Sequence, residues 1–189
     1  MKQWIAFGLS FCVLSSPLYA ALKPGDHAPD FTTQATLAGK PFSFALADAL
    51  RAGPVALYFY PAAFTHGCTI EAHEFAAATD KFKALGATVI GVSHDLIDTL
   101  NKFSVSECRN KFAVASDADQ KISKAYDAVL FITAYSSRTS YVIAPDGKIL
   151  YAYSALNPDK HVENTLAAVE KWQADQKKGS SVGGNLSTP

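Results

Sequence analysis

The chain has 189 residues, of which 49% are hydrophobic and 18% are charged. A chain of this length and composition can bury one core that needs no disulfide cross-links for its stability. Lysine plus arginine and aspartate plus glutamate both number 17, so the charge balance does not attract nucleic acid and we expect no nucleic-acid partner.

Residues 1–20 have the pattern of a secretory signal peptide. Lys2 gives a positive start, an apolar run too short to span a bilayer comfortably follows, and small Ala20 is the expected last residue before cleavage. We therefore expect export, to the periplasm of a bacterium, and a mature form without a membrane segment. Two less favoured alternatives stay open, a lipoprotein anchor at Cys12 and an uncleaved membrane anchor.

A βαβ unit is predicted after an irregular start. Residues 21–39 are interrupted by proline and glycine and predict an extended arm that leads to a short edge strand, and residues 45–52 predict a brief helical turn. Residues 55–60 are apolar, β-branched and aromatic, as in a buried strand. Helical spacing over 68–85 and a second apolar run over 87–93 then predict two parallel strands joined by a helix.

The next segment is predicted to alternate helix and strand. Asp95 is expected to cap a helix whose apolar face comprises Leu96, Leu100 and Phe103. Cys108 falls at or just beyond the end of that helix. A short strand over 112–116 and a short helix over 118–126 follow.

The C-terminal part predicts a hairpin and a final helix. Strands over 140–144 and 148–154 flank a Pro-Asp-Gly turn, and the last helix is expected to begin at Asn157, followed by proline. Residues 177–189 are rich in glycine and serine and predict a disordered tail, so that the domain covers 21–176. The order of elements predicts an α/β domain with a central mixed sheet flanked by helices on both faces.

Cys68 is expected in the first turn of the helix in the βαβ unit. Free backbone N–H groups and the positive end of the helix dipole favour a thiolate at this place. The mature chain would hold one other cysteine, Cys108, so a single structural disulfide is one interpretation. We favour a redox-active pair, because a structural cysteine does not need a helix start.

The residues around Cys68 form the motif Pro61-x-x-x-Thr65-x-x-Cys68 within FYPAAFTHGCTIE. Further motifs accompany it along the chain: Ala28-Pro29-Asp30-Phe31, Gly91-Val92-Ser93, Ser116-Asp117 and Arg138-Thr139-Ser140-Tyr141-Val142-Ile143. On these motifs the chain resembles the peroxiredoxins from Pro24 to about Gln173, and is most similar to their Q-type, or bacterioferritin-comigratory-protein, group.

The resemblance implies a thioredoxin-like fold and a thiol peroxidase that reduces hydrogen peroxide or organic hydroperoxides. It implies no cofactor and no metal, a thioredoxin-like thiol reductant as partner, and a monomer. Cys68 would be the peroxidatic thiolate that becomes a sulfenic acid. Thr65 would accept a hydrogen bond from the peroxide and donate one to the sulfur, while Pro61 shields the sulfenate from water.

Three further residues gain roles from the same resemblance. Arg138 would lower the pKa of the thiol and stabilise negative charge on the leaving oxygen. Gly67 would allow close approach of its backbone N–H to the substrate. For Glu71 two interpretations stay open, since it would either orient Arg138 or only complement the helix dipole.

The chain departs from a common pattern of its relatives at His73. Many relatives carry a second, resolving cysteine at this position. The resemblance favours Cys108 as the resolving thiol here, with a free thiol in a one-cysteine enzyme as the alternative. A Cys68–Cys108 disulfide needs Cα atoms within about 7 Å, so we expect local unwinding around Cys68 and over 104–111 during turnover.

Other activities on this fold would require different residues. A thiol–disulfide oxidoreductase would normally need Cys-x-x-Cys, and Thr65 occupies the first of those positions. A copper-binding protein of this fold would need a cysteine at Ala72, although a metal site with Cys68 could also draw on three nearby histidines: His66, His73 and His94. A redox-sensing binding protein is the remaining alternative. His27 and His161 are predicted to lie in a loop and on the surface.

Overall fold

A computed structural model describes residues 22–130 and 135–183, and within these ranges the chain forms seven strands and five helices. The strands are β1 (Thr32–Leu37), β2 (Lys40–Ala45), β3 (Val55–Phe59), β4 (Thr88–Ser93), β5 (Ala113–Ser116), β6 (Thr139–Ile143) and β7 (Ile149–Ser154). The helices are α1 (Leu46–Ala52), α2 (His66–Ala84), α3 (Ile97–Ser106), α4 (Lys121–Ala125) and α5 (His161–Gly183). The signal peptide predicted over residues 1–20 lies outside the described residues.

The strands form one mixed sheet in the order β2-β1-β5-β4-β3-β6-β7. The predicted parallel pairing of β3 with β4 is confirmed, and so is the antiparallel hairpin of β6 and β7. The prediction of an edge strand after the N-terminal arm is wrong for β1, which pairs with both β2 and β5. The edge position belongs to β2, because the tight turn after β1 folds the chain back against its outer side.

Helices cover both faces of the sheet, as predicted. Side chains alternate along β3, so that Tyr58 packs in a core with α2, α3 and α5, while Leu57 and Phe59 pack in a second core with α1 and α4. Both cores are apolar and fully enclosed at β3. The end of β3, which leads into the loop before Cys68, is therefore packed between helices on both faces of the sheet.

The start of α3 differs from the prediction. Asp95 does not cap this helix; Leu96 is the capping residue, has an extended backbone, and is 67% exposed instead of buried. The carboxylate of Asp95 is engaged elsewhere, because its Oδ2 accepts hydrogen bonds from the Ala63 N–H and the Ser93 hydroxyl, both at 2.7 Å. Asp95 thus ties the loop before Cys68 to the end of β4.

Both ends of α5 also differ from the prediction. The helix begins at His161, because Asn157 Oδ1 accepts the Asp159 N–H in a turn and Lys160 takes a left-handed backbone with φ 74°. The helix continues to Gly183, so the prediction of a disordered tail from residue 177 is wrong for residues 177–183. A helix already nucleated by its packed first half propagates through a run without proline.

None of the helices in the described part of the chain is long and apolar enough to cross a membrane.

Candidate active site

Cys68 is the third residue of α2 and is 1% exposed. Its predicted place in the first turn of the helix is confirmed. The loop between β3 and α2 bends at Phe64, whose φ is 65°, and is held by the hydrogen bond from Ala63 to Asp95. A left-handed bend at a large aromatic residue is costly and persists where surrounding contacts enforce it. The loop is therefore fixed over the sulfur.

Arg138 lies directly before β6, the strand beside β3, and its side chain contacts Cys68. Its side chain is 5% exposed, and Nη2 is 3.5 Å from Cys68 Sγ. Nε donates to the Leu156 carbonyl at 2.9 Å, and Nη1 donates to Glu71 Oε2. Three separate contacts thus fix the guanidinium beside the Cys68 sulfur.

Glu71 stands one turn after Cys68 on α2 and is fully buried. Burial raises the pKa of its carboxyl to about 8, although the neighbouring Arg138 opposes this rise. The structure places Glu71 against Arg138, which is the arrangement that the orienting role requires. That role itself stays a prediction.

The remaining predicted residues line the same loop. A Cβ on Gly67 would lie 3.0 Å from Arg138 Nη2, so the glycine leaves the guanidinium room at the helix start. The Thr65 hydroxyl donates to the Ala62 carbonyl at 3.0 Å instead of to the sulfur, and its lone pairs are free to accept. Pro61 is partly buried at the end of β3.

Cys108 lies two residues beyond α3, where the sequence places it, and is fully buried. Burial, assisted by neighbouring Glu107, raises the pKa of its thiol far above the ordinary value. Both cysteines in the described ranges are free thiols, and both belong to the core cluster that contains Tyr58. Cys108 therefore cannot act as a nucleophile without leaving this apolar environment.

The histidines do not follow the sequence predictions uniformly. His73 Nε2 is 2.8 Å from Glu107 Oε2. His161 is fully buried, so its prediction as a surface residue is wrong. Its spacing of eight residues from Val169 places it on the buried face of α5 and could have revealed this. In the described part of the chain no three histidine, cysteine, aspartate or glutamate side chains are grouped to hold a metal ion.

Two residues that the sequence analysis did not assign to the active site, Asp95 and Ser140, complete the surroundings of Arg138 and the Cys68 loop. Asp95 anchors the loop, as described above. Ser140 on β6 lies 2.8 Å from His161 Nδ1, behind Glu71. Neither contact could be derived from local patterns, because each joins residues that are far apart in sequence.

A family model and a curated relative each match most of the chain. Residues 24–152 match the sequence model of the AhpC/TSA family. The chloroplastic peroxiredoxin Q of Sedum lineare is 32% identical over 169 residues, covering 85% of this chain and 88% of that protein.

Solved structures of related proteins superpose on most of the chain. The peroxidoxin BcpB of Mycobacterium tuberculosis aligns with a TM-score of 0.72 at 30% identity and covers 79% of this chain and 97% of its own. A PrxQ mutant of Xylella fastidiosa aligns with a TM-score of 0.72 at 25% identity and covers 80% of this chain and 98% of its own. The fold is thus the thioredoxin-like fold of these proteins.

Proposed function

The chain belongs to the AhpC/TSA family of peroxiredoxins and is a thiol peroxidase, and we propose that its reaction begins at Cys68. The observation that supports this assignment is the 3.5 Å contact between Arg138 Nη2 and Cys68 Sγ, made by two side chains that are almost completely buried. Positive charge acts strongly on a thiol in such a site, because little water is present to screen it.

The first step oxidises the sulfur and reduces the peroxide. The Cys68 thiolate attacks the terminal oxygen of hydrogen peroxide or an organic hydroperoxide, an S–O bond forms, and the O–O bond breaks. The sulfur becomes a sulfenic acid, and the leaving hydroxide or alkoxide takes a proton and departs as water or alcohol. Arg138 stabilises the negative charge that moves onto the leaving oxygen.

The loop residues have supporting roles in this proposal. Thr65 already donates its hydrogen to Ala62, so its oxygen is set to accept the hydrogen bond of the incoming peroxide. Pro61 lacks an N–H and closes the chain over the sulfur. The backbone N–H of Gly67 at the start of α2 is a further donor toward the substrate.

The second step is resolution by Cys108. Its thiolate attacks the Cys68 sulfenic sulfur, the S–S bond forms and the hydroxyl group leaves as water. Both thiols are buried in the reduced state, so residues 104–111 must unwind and Cys108 must reach Cys68. Arg109, which follows Cys108, has a left-handed backbone with φ 52° and supports unwinding there, because this conformation is strained for an arginine.

The third step returns the enzyme to the dithiol. A thioredoxin-like protein supplies two electrons and two protons and leaves as a disulfide. The pattern of residues 1–20 supports work in the periplasm after cleavage behind Ala20. We propose that the mature protein is a monomer, which size-exclusion chromatography with light scattering checks directly.

Two cysteine variants test the proposal. With dithiothreitol as reductant, we expect wild type to consume hydrogen peroxide and cumene hydroperoxide and Cys68→Ser to have no activity above buffer. Equal consumption by both proteins would refute the assignment of Cys68. Intact mass and peptide mapping after one equivalent of peroxide should show a loss of two hydrogens that links Cys68 to Cys108. A stable sulfenic acid or an intermolecular dimer would refute an intramolecular Cys68–Cys108 disulfide.

A further inference from the structure

The oxygen Oε1 of Glu71 is buried and accepts no hydrogen bond from the described residues. The other oxygen, Oε2, receives Arg138 Nη1. A fully buried carboxylate with one free oxygen loses the solvation of that oxygen without replacement, and an unpaired buried charge is costly. The arrangement is easier to explain if Oε1 does not carry a bare negative charge.

The group that faces Oε1 is the imidazole of His161, whose Nδ1 is 3.7 Å away. The Nε2 atom of His161 lies 3.0 Å from the Ala155 carbonyl, which can only accept, so Nε2 carries the hydrogen. Nδ1 is then an acceptor and receives the hydroxyl of Ser140 at 2.8 Å. Burial keeps the ring neutral by lowering its pKa to about 4. Two acceptor atoms therefore face each other in a dry pocket.

The charges around Cys68 also favour a Glu71 side chain without a negative charge. Cys68, Glu71 and Arg138 are all at most 5% exposed. If Cys68 and Glu71 were both ionised, one guanidinium would face two anions, and a net negative charge would remain buried. The exposed carboxylate of Glu74 on the same helix adds to this negative potential, and His161 offers no compensating charge. One proton between Oε1 and Nδ1 makes the buried group of charges neutral.

We propose that Glu71 carries a proton on Oε1 when Cys68 is a thiolate, with His161 Nδ1 as the acceptor that this proton faces. The inference rests on the proposed role of Cys68 and makes Glu71 and His161 positioning residues of the peroxidase site. Neutral Glu71 still accepts from Arg138 through Oε2, but it no longer competes for the positive charge. The positive charge of Arg138 then stabilises only the thiolate and the leaving oxygen.

A movement of about 1 Å brings Oε1 within hydrogen-bond distance of Nδ1. Nδ1 has one lone pair, so the Ser140 hydroxyl shares or releases it as the Glu71 proton approaches. The high pKa of Glu71, about 8, agrees with a proton that stays on this side chain at neutral pH.

Infrared spectroscopy tests the proposal without peroxide. In a protein carrying Cys12→Ser and Cys108→Ser, we expect a C=O stretching band of a buried carboxylic acid at pH 7. The band should disappear on Glu71→Gln, move with ¹³C-labelled glutamate, and weaken as the pH rises through about 8. Glu107→Gln is the matched control and should leave the band unchanged. The isotope shift needs no Glu71 variant, so the test holds even if that variant folds poorly.

The rate of Cys68 alkylation at pH 4, 5 and 6, measured in the same Cys108→Ser background, is the second measurement. Glutamine imitates a protonated glutamate, so Glu71→Gln should leave these rates within about twofold. Removal of a true carboxylate would raise the rate at the lowest pH by about tenfold, because a nearby like charge is lost. Such a rise, or a parent protein without the acid band at pH 7, overturns the proposal. Neither result depends on turnover, which Cys68→Ser tests separately.

Discussion

His73 Nε2 on α2 lies 2.8 Å from Oε2 of Glu107, the residue directly before Cys108. A second contact joins the same two parts of the chain, since Lys111 Nζ is 3.0 Å from Asp80 Oδ2. Both sides of the Cys108 turn are therefore bound to α2. His73 stands where many relatives carry a cysteine. Its partner Glu107 is next to Cys108, the thiol proposed for resolution.

Loss of the His73 contact should speed disulfide formation. His73→Ala removes the partner of Glu107 and favours the open form of the Cys108 turn. A partly exposed side-chain contact of this kind contributes at most about 1 kcal/mol, so we expect up to about a fivefold faster step from sulfenic acid to disulfide. Rapid mixing with peroxide, acid quenching and mass spectrometry measure that step.

The control for His73→Ala is Asp48→Asn, which breaks the exposed Arg51–Asp48 pair on α1. This variant should leave the step unchanged. An unaltered or slower disulfide step in His73→Ala would show that the pair does not hold the turn closed.

Arg138→Lys should slow the reaction with peroxide by about 10²–10³-fold. Lysine keeps the charge but loses the planar fork that contacts Cys68, Glu71 and Leu156 at once. Competition kinetics against a reference peroxidase give the rate. Arg51→Lys on the surface of α1 is the control, and a wild-type rate in Arg138→Lys would contradict the role of the guanidinium.

Gly67→Ala should lower the activity without lowering the thermal stability. The new methyl group would meet Arg138 Nη2 at 3.0 Å and displace it from Cys68, so we expect about a tenfold lower rate with peroxide. Thermal stability should change little, because the higher helix propensity of alanine, about 1 kcal/mol, offsets the cost of displacing the guanidinium.

Gly179→Ala in α5 is the matched control for Gly67→Ala, because no atom lies within 4 Å of its added Cβ. It should change stability only. A Gly67→Ala enzyme with the wild-type rate would mean that the guanidinium tolerates the displacement.

The stability of the protein should fall between pH 6.5 and 8 through Glu71. Its folded-state pKa of about 8 lies above the ordinary value of 4.5, so the folded state holds this proton more tightly than the unfolded state. The stabilisation is complete below about pH 4.5 and is lost as the pH rises through 8, by up to about 1.4 kcal/mol per pH unit. Glu71→Gln should lack this fall in urea unfolding at pH 6.5, 7.2 and 8.

His161 does not obscure that measurement. Burial lowers its pKa to about 4 from an ordinary 6.5, so its contribution to stability is lost only as the pH falls from 6.5 toward 4. Parallel pH profiles for wild type and Glu71→Gln above pH 6.5 would rule out a raised pKa for Glu71.

The sequence alone predicts the local frame of the site. The apolar run of β3, the helical spacing after it and the hairpin of β6 and β7 are encoded by neighbouring residues, whose periodicity reports which faces are buried. For the same reason Cys68 can be placed in the first turn of α2. The motif around it also indicates the family before any fold is known.

Contacts between distant residues were decided only by the tertiary structure. Arg138 and Cys68 are 70 positions apart, and their approach depends on how α2 packs on the sheet beside β6. The burial of His161 and the Asp95 hydrogen bond to Ala63 depend equally on how separate elements meet. Local patterns show which side chains are turned inward, but not which partner each one finds there. That choice is made by packing, and at this site it decides which of the buried acids and bases share a proton.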